Sequence, residues 1–203
     1  TALRMIASIM TPTAGTASVC GFDTQKHPIE VKRNLGFLSG DTALYKRLSS
    51  RELMAYFGGL HEIPKEEIKE RSDLLIEQLD MKDFADRVCG TLSAGQQQRA
   101  NIARTLIHDP QVLILDEPTN ALDIISGKFI LEFIQDSREK KKTILFSTHT
   151  MAEAEYLCDY LILLHEGIVR AEGSLSDLKE RYGKETLTEI FLGIIEEAPC
   201  AGK

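Results

Sequence analysis

Two short strand-like stretches constrain this chain more than any other feature: the continuously apolar run Val112-Leu113-Ile114-Leu115, and Thr143-Ile144-Leu145-Phe146-Ser147, which reads as another buried strand. A strand buried on both faces reads as a continuous apolar run, and such strands belong to parallel sheets. Parallel neighbours need a crossover connection, usually a helix. From Gln96 onwards the pattern runs helix, strand, helix, strand, helix, strand, as expected of βαβ units. Open α/β sheets of this kind bind ligands outside the carboxyl ends of their strands. Those ends carry Asp116-Glu117 after the first stretch and Thr148-His149 after the second.

The chemistry of these ends can be read residue by residue. Asp116 can hold Mg²⁺ through its water shell, as does the acidic residue ending the corresponding strand of P-loop NTPases. Glu117 would reach past the metal to orient or deprotonate a water. The structural alternative is a solvated strand end whose exit is forced by Pro118, and on these residues alone the two readings weigh equally. A lone histidine at a strand end is more often structural than catalytic. His149 falls at the same edge as the two carboxylates, which shifts the balance towards function. Between them, Asn120 to Asp123 follows closely enough to line the same crevice.

A third block precedes them. Ser93 and Gln96 have the spacing of a capping box, which predicts a helix starting at Ala94 and running through Ile107 to the break at Asp109-Pro110. Gly95 at its mouth would let a ligand approach amide groups that lack intrahelical partners, and the helix dipole favours an anion there. An isolated S-A-G-Q is more simply an ordinary capped surface helix. The order and separation of the three blocks favour a joint function.

The rest of the chain places these motifs. Thr11 to Gly15 reads as a turn between an opening helix and a strand at Thr16 to Cys20, and Leu35 to Leu38 reads as a second strand. Ser49 with Glu52 caps one helix, and Pro64 starts another. Tyr160 to Leu164 and Ile168 to Ala171 flank His165-Glu166-Gly167 as a hairpin, and Ser174 with Asp177 opens a short helix. Lys140-Lys141-Lys142 reads as a solvated helix end. At 203 residues and 43% hydrophobic content the chain can bury a substantial core. Its net charge of −7 argues against a nucleic-acid surface. No apolar run approaches the ~20 residues needed to span a bilayer. Cys20, Cys89, Cys158 and Cys200 are scattered and read as reduced thiols.

With these residues in place, the chain resembles the nucleotide-binding subunit of an ABC transporter, from its first residue to about Gly173. Leu92 to Gln96 is similar to the family's signature sequence, Val112 to Glu117 to its Walker B strand, Asn120 to Asp123 to its D-loop, and His149 to its switch histidine. Gly36 to Tyr45 resembles the sodium-extrusion branch of bacterial exporters. Two departures stand out. Ala94 replaces the first glycine of the family's Leu-Ser-Gly-Gly-Gln, keeping a small side chain. Where the family places a metal-contacting glutamine, Phe37 to Asp41 has none, and Asp41 is the side chain expected in that role.

The resemblance implies an α/β fold: a P-loop NTPase of ABC type, with a RecA-like parallel-sheet core and an inserted helical subdomain. Expected segments are 1–41 for the first part of the core, 42–95 for the helical subdomain ending in the signature motif, 96–175 for the rest of the core, and 176–203 for a helical tail. It further implies ATP and Mg²⁺ as cofactors, with Glu117 and His149 catalytic and Asp116 on the metal. Ser93, Ala94, Gly95, Gln96, Asp123 and Asp41 would contact nucleotide. ATP would lie between two copies, and separate permease subunits would be driven from the cytoplasmic face of the membrane, with no nucleic-acid partner. Leu44, Tyr45, Phe57 and Leu60 would be core or permease interface, most of them core, with Leu44-Tyr45 favoured as interface.

One expected element has no counterpart in these residues. The phosphate loop G-x-x-x-x-G-K-[ST] does not occur: Gly127-Lys128 has Leu122 at the first glycine position, and Gly202-Lys203 has Glu197 there. Thr1 to Ala7 resembles the helix just downstream of that loop. The chain is therefore expected to be a piece of a longer protein whose upstream residues carry the first strand and the loop, and to be inactive without them. Two other classes fit less well: a soluble ABC-type ATPase without a permease, and a non-catalytic module, which would have no physical need of Glu117 and His149.

Overall fold

The computed structural model describes residues 1–39 and 44–197, and the chain divides into two compact units, Thr1–Ser147 and Thr148–Lys203. The first unit opens with helix α1 (Ala2–Ile6) and a small hairpin of β1 (Ser18–Val19) and β2 (Phe22–Asp23). Helix α2 (Pro28–Asn34) leads directly into strand β3 (Leu35–Leu38). Helices α3 (Ser50–Leu60), α4 (Lys65–Gln78) and α5 (Ala94–Leu106) follow. Strand β4 (Val112–Asp116), helix α6 (Ile124–Glu139) and strand β5 (Thr143–Ser147) complete it.

The sheet has the order β3-β4-β5, and both pairings are parallel. Leu113, Ile114 and Leu115 of the central strand are at most 1% exposed. That burial is why β4 reads as unbroken apolar sequence. Ile114 packs with Ala7, Val19, Val31 and Leu35, which fastens α1, the hairpin and α2 to the sheet. Helix α5 lies close to β3 at Gly36, where a Cβ would stand 2.8 Å from both Thr105 Cγ2 and the Thr105 carbonyl oxygen. A side chain there would push the helix off the strand, so the glycine serves a close backbone approach.

Capping chemistry sets the helix starts. Ser49 and Glu52 form a reciprocal box at α3, and Ser93 and Gln96 do so at α5. The expected strand at Thr16 to Cys20 shrinks to Ser18–Val19. Cys20 and Gly21 both take positive φ, 51° and 83°, and turn the chain straight back into β2. Two other expectations are corrected. Leu44 is 7% exposed and belongs to the core, whereas Tyr45 and Leu60 are 52% and 62% exposed. The lysine run is not wholly solvated, because Lys142 Nζ donates to Asp109 Oδ1 and to the Pro110 carbonyl, each at 2.7 Å. Those bonds tie the start of β5 to the turn before β4.

The second unit holds helix α7 (Met151–Leu157), strands β6 (Leu161–His165) and β7 (Ile168–Gly173), and helices α8 (Leu175–Tyr182) and α9 (Leu187–Glu197). The strands pair antiparallel as the expected hairpin. Leu161, Leu163 and Ala171 face a core completed by Ala154, Leu178, Leu187, Ile190 and Ile194. A third capping box, Ser174 with Asp177, starts α8, and Gly183 closes it in the left-handed conformation.

Candidate active site

The parallel register brings the polar ends of β4 and β5 together. Asp116 is the register partner of Ser147, the last pair of the ladder. Ser147 Oγ donates to Asp116 Oδ1 at 2.6 Å. The next amide, that of Glu117, donates both to the Ser147 carbonyl at 3.1 Å and to Ser147 Oγ at 3.2 Å. Glu117 itself sits at φ 52°, a left-handed conformation uncommon for a residue with a side chain. The strand thus ends in a sharp turn pinned by its neighbour, and two consecutive carboxylates leave the sheet at that point.

The start of α5 is joined to the same region. Gln98 Nε2 donates to the Pro118 carbonyl, one residue beyond Glu117. Asp123 caps α6, its Oδ1 accepting from the amides of Ile125 at 3.0 Å and Ser126 at 2.9 Å. Its Oδ2 accepts from Ser126 Oγ at 2.8 Å. Hydrogen bonds to Ser126, first from the amide and then from the hydroxyl, hold the Asp123 carboxyl below the usual carboxylate range. Ser126 in turn faces Gly95, where an added Cβ would stand 2.2 Å from Ser126 Oγ. Ala94 is exposed and Gly95 buried. The structure thereby explains why alanine is accommodated at the first of these positions while the second stays glycine. The packing of Ser126 already requires Gly95, before any ligand is considered.

Arg99, one turn into α5, anchors that helix from the other side. It donates to the Asp80 carbonyl and carboxylate, each at 3.1 Å, and its guanidinium lies 3.9 Å from the centre of the Phe129 ring. Ser93, Gly95, Gln96, Arg99 and Ser126 line a polar hollow of about 260 Å³, so the helix mouth opens to solvent.

The first unit therefore collects Asp116, Glu117, Ser93, Ala94, Gly95, Gln96 and Asp123. His149 is exposed and lies in the second unit, ahead of α7, where Thr148 Oγ1 donates to Glu153 Oε2 at 2.7 Å. Asp41 lies outside the described residues. Sequence reasoning gave no role to Ser147, Ser126, Gln98 or Arg99, whose contacts appear only in the structure. Only Ser147 left a signal, a small polar residue closing an apolar strand.

Mg²⁺ is a hard cation that keeps several waters and is shared with substrate phosphates. The donors present fit that habit: Ser147 engages Asp116 Oδ1, leaving Oδ2 for a water of the metal shell. No group of three or more potential metal-ligating side chains occurs among the described residues. A metal here would depend on phosphate and water for most of its shell.

A family model described as ABC transporter matches residues 1–120. The ABC transporter ATP-binding protein NatA of Bacillus subtilis is 45% identical over 193 residues, which cover 95% of this chain and 78% of NatA. A solved ATP-binding subunit of an ABC transporter superposes with a TM-score of 0.86 at 26% identity, covering 96% of this chain and 82% of its own. An ATP-binding cassette solved as a dimeric post-hydrolysis state with ADP and Pi gives 0.76 at 27% identity, covering 86% and 79%. The chain belongs to the ABC transporter family, as an ATP-binding subunit with the α/β fold of P-loop NTPases.

Proposed function

We propose that this chain supplies the hydrolytic carboxylates and the covering helix of an ATP-driven exporter subunit. Its nucleotide would be held between two copies. The observation that carries the reading is the pinned turn at the end of β4, which presents Asp116 and Glu117 side by side. The dimeric neighbour with ADP and Pi supports the two-copy arrangement.

In this reading Asp116, fixed by Ser147 through Oδ1, would hold a magnesium ion by way of its water shell. Glu117 accepts the proton of the attacking water, and the His149 imidazole donates to the γ-phosphate. Magnesium, when bound, and a phosphate loop would supply the charge neutralisation that dominates phosphoryl transfer. Ser93 to Gln96 of a second copy cover the γ-phosphate with the mouth of α5, and Asp123 holds that mouth's neighbour, Ser126, in place. We assign Asp41 to relaying the state of the metal or water towards the helical segment 42–95. Permease subunits would meet that segment, where Tyr45, Tyr56 and Leu60 are among the exposed apolar side chains of its described residues. No helix among the described residues is long and apolar enough to cross a membrane. The family resemblance is what supports separate permease chains, with this one at their cytoplasmic side. The resemblance of Gly36 to Tyr45 supports Na⁺ as cargo, with a drug as the alternative.

The test compares the 203 residues with the same chain carried behind a phosphate-loop segment of the G-x-x-x-x-G-K-[ST] type, the loop-extended chain. Magnesium-dependent ATP turnover is expected only from the latter. Turnover at similar rates by both, or by neither, would contradict the reading.

A further inference from the structure

We propose that Ser147 is a positioning residue for hydrolysis, one hydroxyl that sets both carboxylates at the end of β4. Its proton goes to Asp116 Oδ1, at 2.6 Å, which fixes that carboxylate by one oxygen and turns the other towards the metal's water shell. Its lone pair accepts the amide of Glu117, at 3.2 Å, and its own carbonyl accepts the same amide at 3.1 Å. A hydroxyl offers one donor and two acceptor sites, so both tasks fit a single rotamer.

The need for such a grip follows from the backbone. Glu117 is held at φ 52°. A left-handed conformation costs an ordinary residue free energy and persists only where its surroundings enforce it. Here two of the contacts at that residue come from one residue of the neighbouring strand. The register supplies the position, since Asp116 and Ser147 are the last paired residues of β4 and β5. A shift of the β5 end would therefore reach Asp116 and Glu117 together. Catalytic groups must be held within a fraction of an ångström, and the residues that hold them need not touch substrate.

The inference rests on the reading of Asp116 and Glu117 as hydrolytic carboxylates, and its test separates the two. In the 203-residue chain, amide hydrogen exchange at Glu117 is measured for the parent, Ser147→Ala and Ser147→Thr. Losing one acceptor should speed exchange by about threefold to tenfold in the alanine variant. Threonine keeps the hydroxyl and suits a strand, so it should restore parent protection. In the loop-extended chain, Ser147→Ala should lower kcat by roughly tenfold to a hundredfold. Its KM for ATP should stay within about threefold of the parent, as for a group acting in the transition state. Threonine should recover most of that loss. Should the alanine variant fail to fold, Ser147→Cys takes its place, keeping the shape while donating weakly. Unchanged exchange at Glu117, unchanged kcat, or a threonine variant as poor as alanine would each overturn the proposal. An inactive loop-extended parent would sink the functional reading instead, and exchange alone would then decide whether Ser147 holds the turn.

Discussion

Replacing Gly95 by alanine should loosen the joint between the signature helix and the D-loop by a measurable amount. The new Cβ would stand 2.2 Å from Ser126 Oγ, 2.9 Å from Ser126 Cβ and 4.0 Å from Asp123 Oδ2. Rotating Ser126 removes the first clash and gives up its 2.8 Å bond to Asp123. The Cβ contact stays, because that atom is fixed to the first turn of α6, so α5 and α6 must part by a few tenths of an ångström. Overpacking of this kind costs about 1–3 kcal/mol. Alanine returns up to ~1 kcal/mol of helix propensity. The lost hydrogen bond to Asp123 adds about 1 kcal/mol, so the expected net loss is about 1–3 kcal/mol in urea unfolding with m unchanged. Ser126→Gly removes both offending atoms, so the double variant should recover most of the loss, a coupling of about 1–2 kcal/mol. Ala94→Gly, at the exposed neighbour, should cost no more than ~1 kcal/mol and show no coupling to Ser126. A Gly95→Ala variant as stable as the parent, or additivity with Ser126→Gly, would refute the packing argument.

Two further outcomes follow. His108 stacks on His61 with ring centres 3.8 Å apart, and burial, then the charge of His61, lowers its pKa to about 4, with Lys142 and Arg71 adding to the effect. Between pH 6.5 and 4 the unfolded chain therefore binds a proton that the folded one does not, so stability falls as pH falls, by at most about 3 kcal/mol. His108→Gln should flatten that slope in pH-dependent denaturation, and an unchanged slope would contradict it. In the loop-extended chain with its permease, Asp41→Ala should reduce permease-stimulated turnover by about tenfold while leaving ATP affinity within about threefold. Unchanged stimulation would remove Asp41 from the coupling role.

Much of the fold was written locally in the sequence. Strand β4 announces itself because a strand buried on both faces has no polar alternation, whereas β5, read as buried too, is only half-buried beyond its exposed Thr143. The three capping boxes mark their helices through spacing alone. Asp116 and Glu117 were legible because they follow such a strand. What escaped was set by register and tertiary contact. Leu44 turns into the core and Tyr45 out of it, which a two-residue apolar pair cannot reveal. Ser126 fills the space of the side chain Gly95 lacks only because α5 and α6 meet there. Ser147 faces Asp116 only because β5 pairs with β4 without a shift.

The most direct test of the account is Glu117→Gln in the loop-extended chain, with ATP affinity and turnover measured side by side. Glutamine keeps the size of the side chain and the backbone turn but cannot accept the proton. ATP binding should stay within about threefold of the parent, kcat should fall by about 10²–10⁴-fold, and an ATP-stabilised dimer should persist because hydrolysis no longer opens it. Turnover at the parent rate, or loss of ATP binding in step with kcat, would contradict the account.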